Sequence, residues 1–144
     1  MALNLSEKIL KKIQQHGAAA YPEEGAGLLL GTETVEERRV NAILPLTNSR
    51  EDHARHNRYL ITAEDMLAGE REAERLGLDV VGVFHSHPDH PNRPSEFDRD
   101  WALPWYSYII TSVHQGNAVE SRSWRLSEDR ENFQEEKMKV TEVT

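Results

Sequence analysis

Residues 80–88 read Val-Val-Gly-Val-Phe-His-Ser-His-Pro, so two histidines directly follow an apolar run. The β-branched and aromatic residues of this run predict a buried strand that begins near Asp79. Side chains two positions apart on a strand point to the same side, with Cα atoms roughly 6.6 Å apart at a rise of about 3.3 Å per residue. His85 and His87 are therefore placed to bind one metal ion before Pro88 ends the strand.

The loop after this strand supplies a third candidate ligand. Seven residues separate His87 from Ser95, and two separate Ser95 from Asp98. Two histidines and one carboxylate leave a tetrahedral zinc ion one open position for water, which is the arrangement of a catalytic zinc site. A His-x-His pair alone is weak support for a metal, because histidines two apart also occur by chance. The spacing to Ser95 and Asp98 adds the context that the pair lacks.

The composition narrows the class of protein and the kind of site. A chain of 144 residues with 38% hydrophobic and 29% charged residues is typical of one soluble globular domain. The chain has no cysteine, which excludes Cys-rich structural zinc folds. A net charge of −8 argues against nucleic acid as the main partner. The N-terminus does not resemble a signal peptide and no apolar run approaches the roughly 20 residues of a membrane span, so we expect a cytoplasmic protein that does not insert into membranes.

Two helices are predicted from their capping residues and apolar periodicity. Ser6 fits the N-cap of the first, which has Gly17 near its end and three apolar residues on one face: Ile9, Leu10 and Ile13. Thr62 and Asp65 fit a capping box that opens the second helix, which ends at Gly77.

The strand predictions favour a mixed sheet. Apolar or alternating segments predict strands over 25–31, 35–46, 106–113 and 118–126, and the last two are joined by a hairpin turn over 115–117. We expect the charged stretch 36–39 to be exposed or in a turn, 47–58 to be an exposed loop and 58–61 to be an edge strand. Beyond residue 126 the charged sequence predicts a tail or a short helix. Helices interspersed with hairpins indicate an α/β fold of the α+β type with a mixed β-sheet.

The spacing His85-x-His87, seven residues, Ser95, two residues, Asp98 resembles the signature of the JAMM (MPN-plus) zinc metalloproteases. The stretch 21–31 is similar to the family's first strand, and alignment on Gly27 and the leucine run selects Glu24 as the family's upstream glutamate. The resemblance runs from about residue 5 to 126. It implies a single JAMM-like domain over 1–126, a curved mixed sheet flanked by helices, and a charged segment 127–144 outside it.

The resemblance also implies roles for these residues. His85, His87 and Asp98 would bind one Zn²⁺ ion whose fourth ligand is water. Glu24 would take the proton of that water and pass it to the leaving amine. The Ser95 hydroxyl would hydrogen-bond the oxyanion that develops on the substrate.

Each role has an alternative. Ser95 and Asp98 also fit a capping box for a short helix, which is compatible with a place in the site. Glu23 competes with Glu24 for the role of base. Three further sets of side chains are candidate ligands without the matching spacing: Asp89, Asp100, and the pair His53 and His56.

Departures from the family restrict what the resemblance implies. Many bacterial members have two cysteines after the catalytic glutamate, where this chain has Gly25-Ala26. Eukaryotic deubiquitinating members carry insertions that select a ubiquitin linkage, and this compact chain has no room for them. Inactive relatives lose the histidines or the glutamate, whereas this chain keeps all of them.

The resulting expectation is a zinc-dependent peptidase or isopeptidase. Its substrate would be the bond after the C-terminal Gly-Gly tail of a ubiquitin-like or sulfur-carrier protein, and an extended tail of this kind pairs well with a sheet edge, for which 58–61 is a candidate. Two other functions remain open on sequence alone. One is a non-catalytic, zinc-containing interaction module, and the other is a metallohydrolase of a small amide.

Overall fold

The computed structural model describes residues 2–46 and 61–142, with the side chains at positions 97 and 101 excepted. Within this part of the chain, three helices accompany eight strands that form one sheet. The elements in chain order are β1 (Ala2–Ser6), α1 (Glu7–Ala20), β2 (Ala26–Glu33), β3 (Glu37–Leu46), α2 (Ala63–Leu76), β4 (Asp79–Pro88), α3 (Glu96–Trp101), β5 (Ser107–His114), β6 (Asn117–Leu126), β7 (Phe133–Glu136) and β8 (Met138–Thr141).

The sheet is mixed and curved, as the sequence and the family resemblance predict. Its strand order is β7-β6-β5-β4-β2-β3-β1-β8, with β1 parallel to β3 and β8, and β4 parallel to β5. The edge strands β7 and β8 are joined by Lys137 alone, whose carbonyl accepts a hydrogen bond from the Leu3 amide at 2.9 Å. Two Cα–Cα steps span at most about 7.6 Å. The two edges must therefore approach each other, which curls the sheet until it is nearly closed.

The predicted helix caps are present. The Ser6 hydroxyl accepts from the Ile9 amide at 3.1 Å, and Thr62 and Asp65 form a reciprocal capping box at the start of α2. Gly77 ends α2 in the left-handed conformation, with φ of 73°. Gly17 lies near the end of α1, as predicted, and the helix ends three residues later at Ala20.

Alternate residues of the central strands pack into two apolar clusters. Leu28 and Leu30 of β2 belong to one cluster, and Leu29 belongs to the other with Ile13 of α1 and Phe84 of β4. This alternation follows from the two-residue period of a strand. Every residue from Val81 to Pro88 is buried, so the histidine-bearing strand is held rigidly between its neighbours β2 and β5.

The prediction of a tail or short helix beyond residue 126 is wrong. Residues 133–136 and 138–141 form β7 and β8, which extend the sheet at its two edges. The charged composition misled the prediction because Glu136 is only 6% exposed. Its carboxylate accepts hydrogen bonds from the hydroxyls of Ser107 at 2.7 Å and Ser123 at 2.9 Å, which compensate for its burial.

The expectation that 36–39 is exposed or in a turn holds for Glu36 alone. Residues 37–39 belong to β3, and Arg38 is only 3% exposed. Its guanidinium donates to the Val81 carbonyl at 3.2 Å, the Ser107 hydroxyl at 2.8 Å and the Trp105 carbonyl at 2.7 Å. A buried arginine is stable here because acceptors surround its planar donor groups.

Some predictions lie outside the described residues. These are the loop over 47–58 with His53 and His56, and all of the edge strand 58–61 except Ile61, which belongs to no strand. None of the helices in the described ranges has the length and apolar character that a membrane span requires.

Candidate metal centre

The end of β4 brings His85 and His87 to the same side of the sheet. Ala26 of β2 pairs with His85 on one side and Ile110 of β5 pairs with it on the other, so backbone ladders hold the strand in place. The two imidazole centroids lie 5.0 Å apart and the rings are tilted by 49°. His85 is 1% and His87 9% exposed. The two-residue spacing therefore gives the convergence that the sequence predicts.

Helix α3 brings Asp98 to these histidines. Asp98 Oδ1 lies 3.4 Å from His85 Nε2, and Asp98 Oδ2 lies 3.2 Å from His87 Nε2. Ligand atoms from all three buried residues lie within 4.8 Å of one another. Such a group of two imidazoles and one carboxylate could hold a metal ion, and its composition is that of a catalytic zinc site.

The electrostatics of the cluster favour the metal-binding protonation states of His85 and Asp98. Burial lowers the pKa of His85 to about 4. Burial would also raise the pKa of Asp98, but the charge of His85 and the hydrogen bond with His87 outweigh it and lower that pKa to about 2. Burial opposes the charged form of His87 too, yet its hydrogen bond to Asp98 leaves its pKa raised. At neutral pH the cluster therefore contains an ionised carboxylate and a neutral His85, and both are competent ligands.

The loop after β4 orients His87. His87 Nδ1 lies 2.7 Å from the Pro91 carbonyl oxygen, which only accepts hydrogen bonds, so Nδ1 carries the proton. Nε2 faces Asp98 Oδ2 at 3.2 Å and, once deprotonated, would offer its lone pair to a metal ion. Second partners of this kind commonly fix the tautomer of a metal-binding histidine.

Glu24 lies beside the three ligands. It lies two residues before the start of β2 and is only 5% exposed. Its Oε1 atom lies 3.7 Å from His85 Nδ1. It also lines a cleft of about 360 Å³ together with His87, Pro88, His90, Pro91, Arg93 and Ser95. Glu23, the alternative base, is in the same loop but does not line this cleft. The geometry thus favours Glu24 over Glu23.

Ser95 combines the two roles that the sequence left open. Its hydroxyl oxygen accepts from the Asp98 amide at 3.1 Å, and its own amide donates to Asp98 Oδ2 at 2.8 Å, which completes the capping box of α3. A hydroxyl that accepts one bond still has its own proton to donate. Because Ser95 also lines the cleft, that proton is available to a bound molecule.

The alternative ligands are not part of the cluster. Asp89 is exposed and accepts hydrogen bonds from the Tyr21 hydroxyl at 2.6 Å and the Gln115 amide at 2.8 Å. Asp100 is exposed on α3, and neither residue belongs to the group of ligand atoms around His85.

Sequence reasoning missed the residues that hold the loop over 88–95. The side-chain amide of Asn92 donates to the backbone carbonyl of Glu120 at 3.2 Å, and the backbone carbonyl of Asn92 accepts from the Trp124 indole at 3.0 Å. The Ser112 hydroxyl donates to the His90 carbonyl at 2.8 Å. These partners lie on β5 and β6, so no local signal in the loop could identify them.

Comparisons with known proteins agree with this geometry. The family model of prokaryotic homologues of the JAB domain matches residues 6–127. A desampylase from Haloferax volcanii is 30% identical over 132 residues, which cover 91% of each chain. A probable TtuB-protein conjugate cleaving protease from Thermus thermophilus is 29% identical over 116 residues, covering 78% of this chain and 74% of that protein. Tail tip assembly protein K of Escherichia phage N15 is 32% identical over 106 residues, or 71% of this chain, but the match spans only 39% of that protein.

Solved structures share the fold. A protein from Desulfitobacterium hafniense superposes with a TM-score of 0.85 at 28% identity, covering 98% of this chain and 94% of that one. A JAB1/MPN domain protein from Archaeoglobus fulgidus superposes with a TM-score of 0.61 at 20% identity, covering 98% of this chain and 99% of that one. At that identity the second likeness concerns the fold alone.

Proposed function

This chain belongs to the family of prokaryotic homologues of the JAB domain, and on that premise we propose that it is a zinc-dependent peptidase or isopeptidase. Its substrate would be the bond that follows the C-terminal Gly-Gly tail of a ubiquitin-like or sulfur-carrier protein. The observation that carries this proposal is the position of Glu24 beside the cluster of His85, His87 and Asp98, at a cleft that Glu24 and His87 line. The desampylase and the conjugate cleaving protease among its relatives support a protein conjugate as the substrate.

The donor atoms of the cluster fit zinc. Two imidazole nitrogens and a carboxylate oxygen are the ligands of many catalytic zinc sites, and their burial excludes competing bulk water. When bound there, zinc would lower the pKa of a coordinated water from about 15.7 towards 7 and would polarise a carbonyl.

The side chains around the cleft have complementary tasks. The Glu24 carboxylate accepts the proton of the attacking water and returns it to the leaving amine, since it lies beside the ligands at the cleft wall. The Ser95 hydroxyl donates a hydrogen bond to the oxygen of the scissile carbonyl as negative charge develops there. Both groups act in a partly enclosed site, where electrostatic interactions are stronger than in water.

The shape of the cleft suits a glycine tail. Two prolines, Pro88 and Pro91, form part of its wall beside His87. A Gly-Gly segment has no side chains to exclude and can lie extended through such a space. This favours a protein tail over nucleic acid or a membrane surface as the partner.

The test uses carrier proteins that bear a C-terminal extension or an isopeptide-linked protein after Gly-Gly. Zinc-loaded protein, its Glu24→Gln variant and the matched control Glu23→Gln are incubated with these substrates, and the products are identified by intact mass spectrometry. We expect cleavage after Gly-Gly by the wild type and by Glu23→Gln, and a loss of about 10²- to 10⁴-fold for Glu24→Gln. Equal rates for the two variants would overturn the assignment of Glu24.

The same experiment separates the alternatives. Stoichiometric zinc without cleavage of any tailed substrate would indicate a non-catalytic interaction module. Turnover of small amides with no cleavage of carrier proteins would indicate a small-molecule amidohydrolase.

A further inference from the structure

The segment that carries Glu24 is tied to the end of β4 by a buried hydrogen-bond pair. The Ser86 amide donates to the Gly25 carbonyl at 2.9 Å, and the Gly25 amide donates to the Ser86 hydroxyl oxygen at 2.8 Å. Ser86 is 1% exposed, so water does not compete for these bonds. Ser86 lies between the two histidines, and Gly25 directly follows Glu24. The pair therefore joins the residue that follows Glu24 to the residue between the two histidines.

The surroundings of Ser86 show that the site accepts only a small side chain. Because strand residues alternate, Ser86 points to the face opposite that of His85 and His87, where α1 packs. A Cβ atom at Gly17 of α1 would lie 3.0 Å from Ser86 Cβ and 3.3 Å from Val113 Cγ2. The close approach of α1 keeps Ser86 in place, and its hydroxyl is left facing the Gly25 amide.

A second tie joins the same two segments at the surface. The Tyr21 hydroxyl donates to Asp89 Oδ2 at 2.6 Å. Asp89 is itself held by two bonds, from its amide to the Val113 carbonyl at 2.7 Å and from the Gln115 amide to Asp89 Oδ1 at 2.8 Å. Its φ of 56° lies in the left-handed region, and aspartate adopts such a conformation only when its surroundings specify it. Asp89 is thus a well-anchored acceptor for Tyr21.

Along the sequence, the residues of the two ties lie on either side of Glu24 and of His87. Residues 21 and 25 lie on either side of Glu24, and residues 86 and 89 lie on either side of His87. We propose that Ser86 and Tyr21 are positioning residues that set the distance between the Glu24 carboxylate and the metal ligands, where Glu24 Oε1 now lies 3.7 Å from His85 Nδ1. This inference rests on the proposed function of Glu24 as the base.

The proposal separates catalysis from metal binding. The Ser86 hydroxyl bonds the Gly25 amide and the Tyr21 hydroxyl bonds Asp89, so we expect their loss to leave the ligand set intact. A misplacement of about 1 Å in a catalytic group costs up to about 10²-fold in rate. We therefore expect kcat to fall about 10- to 100-fold for Ser86→Ala and about 3- to 10-fold for Tyr21→Phe, with KM and zinc affinity unchanged.

The experiment measures kcat, KM and zinc affinity for Ser86→Ala, Tyr21→Phe and the double variant, with the tailed carrier as substrate. Matched controls are Ser123→Ala, which removes another buried hydroxyl, and Tyr106→Phe, which removes another phenol hydroxyl. We expect both controls to keep the wild-type kcat. Because Tyr21→Phe removes one exposed oxygen, it stays informative if Ser86→Ala does not fold.

A second comparison shows whether the effect passes through Glu24. In the Glu24→Gln background, Ser86→Ala and Tyr21→Phe should each change the residual rate less than about 2-fold, because residues acting through one group are not additive. The proposal is overturned if the loss in that background equals the loss in the wild type, or if lower zinc affinity or higher KM accounts for it. If the wild type itself cleaves no tailed carrier, the proposed function fails instead.

Discussion

Two buried polar clusters occupy this sheet, and they are built on different principles. The Arg38 network consists of Arg38, Ser107, Ser123 and Glu136, and the metal-centre cluster consists of Glu24, His85, His87 and Asp98. In the Arg38 network, donors meet acceptors: the guanidinium donates to two carbonyls, the Ser107 hydroxyl and the carboxylate of the exposed Glu33, and the Glu136 carboxylate accepts from two hydroxyls. The second oxygen of Glu136 lies 3.6 Å from Arg125 Nη1, so each charge of the network has an opposite charge nearby.

The metal-centre cluster instead directs electron-pair donors towards one another. Nitrogen and oxygen ligand atoms of three residues lie within 4.8 Å, and each is an atom that a cation binds. The residues of this cluster titrate, whereas a guanidinium is always charged. The difference teaches that burial and charge alone do not identify a functional site. The functional site is distinguished by electron-pair donor atoms that converge on one point. These atoms repel one another unless a proton or a metal ion lies between them.

Removing a ligand should produce the largest effect. Asp98→Asn keeps the size of the side chain and an oxygen that can accept from the Ser95 amide, but loses the charge. We expect zinc binding to be lost and turnover to fall by at least about 10³-fold, because both the ion and its activated water depend on the ligand set. Zinc content by mass spectrometry and turnover of the tailed carrier test this. Retention of both would show that Asp98 is not a ligand.

Disrupting the Arg38 network should lower the stability of the protein and leave its turnover unchanged. Arg38→Met leaves two buried carbonyls and the Ser107 hydroxyl without their donor, and we expect the free energy of unfolding to fall by about 3 kcal/mol. The folded protein should keep its turnover. Urea unfolding measures the first effect, with the neighbouring Arg39→Met as control. Arg39 is partly exposed and its ion pair with Glu37 at 3.5 Å should contribute less than about 1 kcal/mol.

The metal-centre cluster can largely be predicted from the sequence, whereas the Arg38 network cannot. The spacing of His85, His87, Ser95 and Asp98 is local, because a strand end and a one-turn helix set their directions. The capping box of α2 and the apolar runs of β2, β4 and β5 are equally local signals. These are the parts of the fold and the site that the sequence alone predicts well.

The remaining parts depend on partners that are distant in sequence. Arg38 is buried because acceptors arrive from β4 and from the segment around Trp105 and Ser107, and Glu136 is buried because β5 and β6 supply hydroxyls. Neither residue has a local apolar pattern, so charge was interpreted as exposure. Ser86 was overlooked for a related reason: its role depends on Gly25, which is 61 positions away.

The metal-free protein should lose stability in acid over a defined range. Burial lowers the pKa of His85 to about 4 from its ordinary value of 6.5, so between these values the unfolded chain binds a proton that the native state does not. The free energy of unfolding therefore declines as pH falls through this range, by up to about 1.4 kcal/mol per pH unit. The raised pKa of His87 gives a stabilisation that is lost as pH rises above 6.5, and the lowered pKa of Asp98, about 2, gives one that is lost as pH falls below 3.8.

Urea unfolding between pH 4 and 7 in the presence of a chelator measures this dependence. His85→Gln should remove the His85 contribution. His114→Gln is the control, because His114 is exposed and lies outside the metal-centre cluster. An unchanged slope in His85→Gln would contradict the prediction. Saturating zinc should steepen the dependence, since the metal holds both His85 and His87 neutral in the native state while the unfolded chain still binds protons.

Two adjacent residues of β6 permit the finest test of the comparison, with the smallest expected effects. Ser123 points into the Arg38 network and donates to Glu136, whereas Trp124 points to the other face and donates to the Asn92 carbonyl in the loop of the metal centre. Ser123→Ala should lower the free energy of unfolding by about 1 to 2 kcal/mol without changing turnover. Trp124→Phe removes one loop anchor, and we expect kcat/KM to fall about 3-fold, the equivalent of about 0.7 kcal/mol. If Ser123→Ala slowed turnover as much as Trp124→Phe, the two clusters would be energetically coupled across the strand, and the division between a structural and a functional cluster would fail.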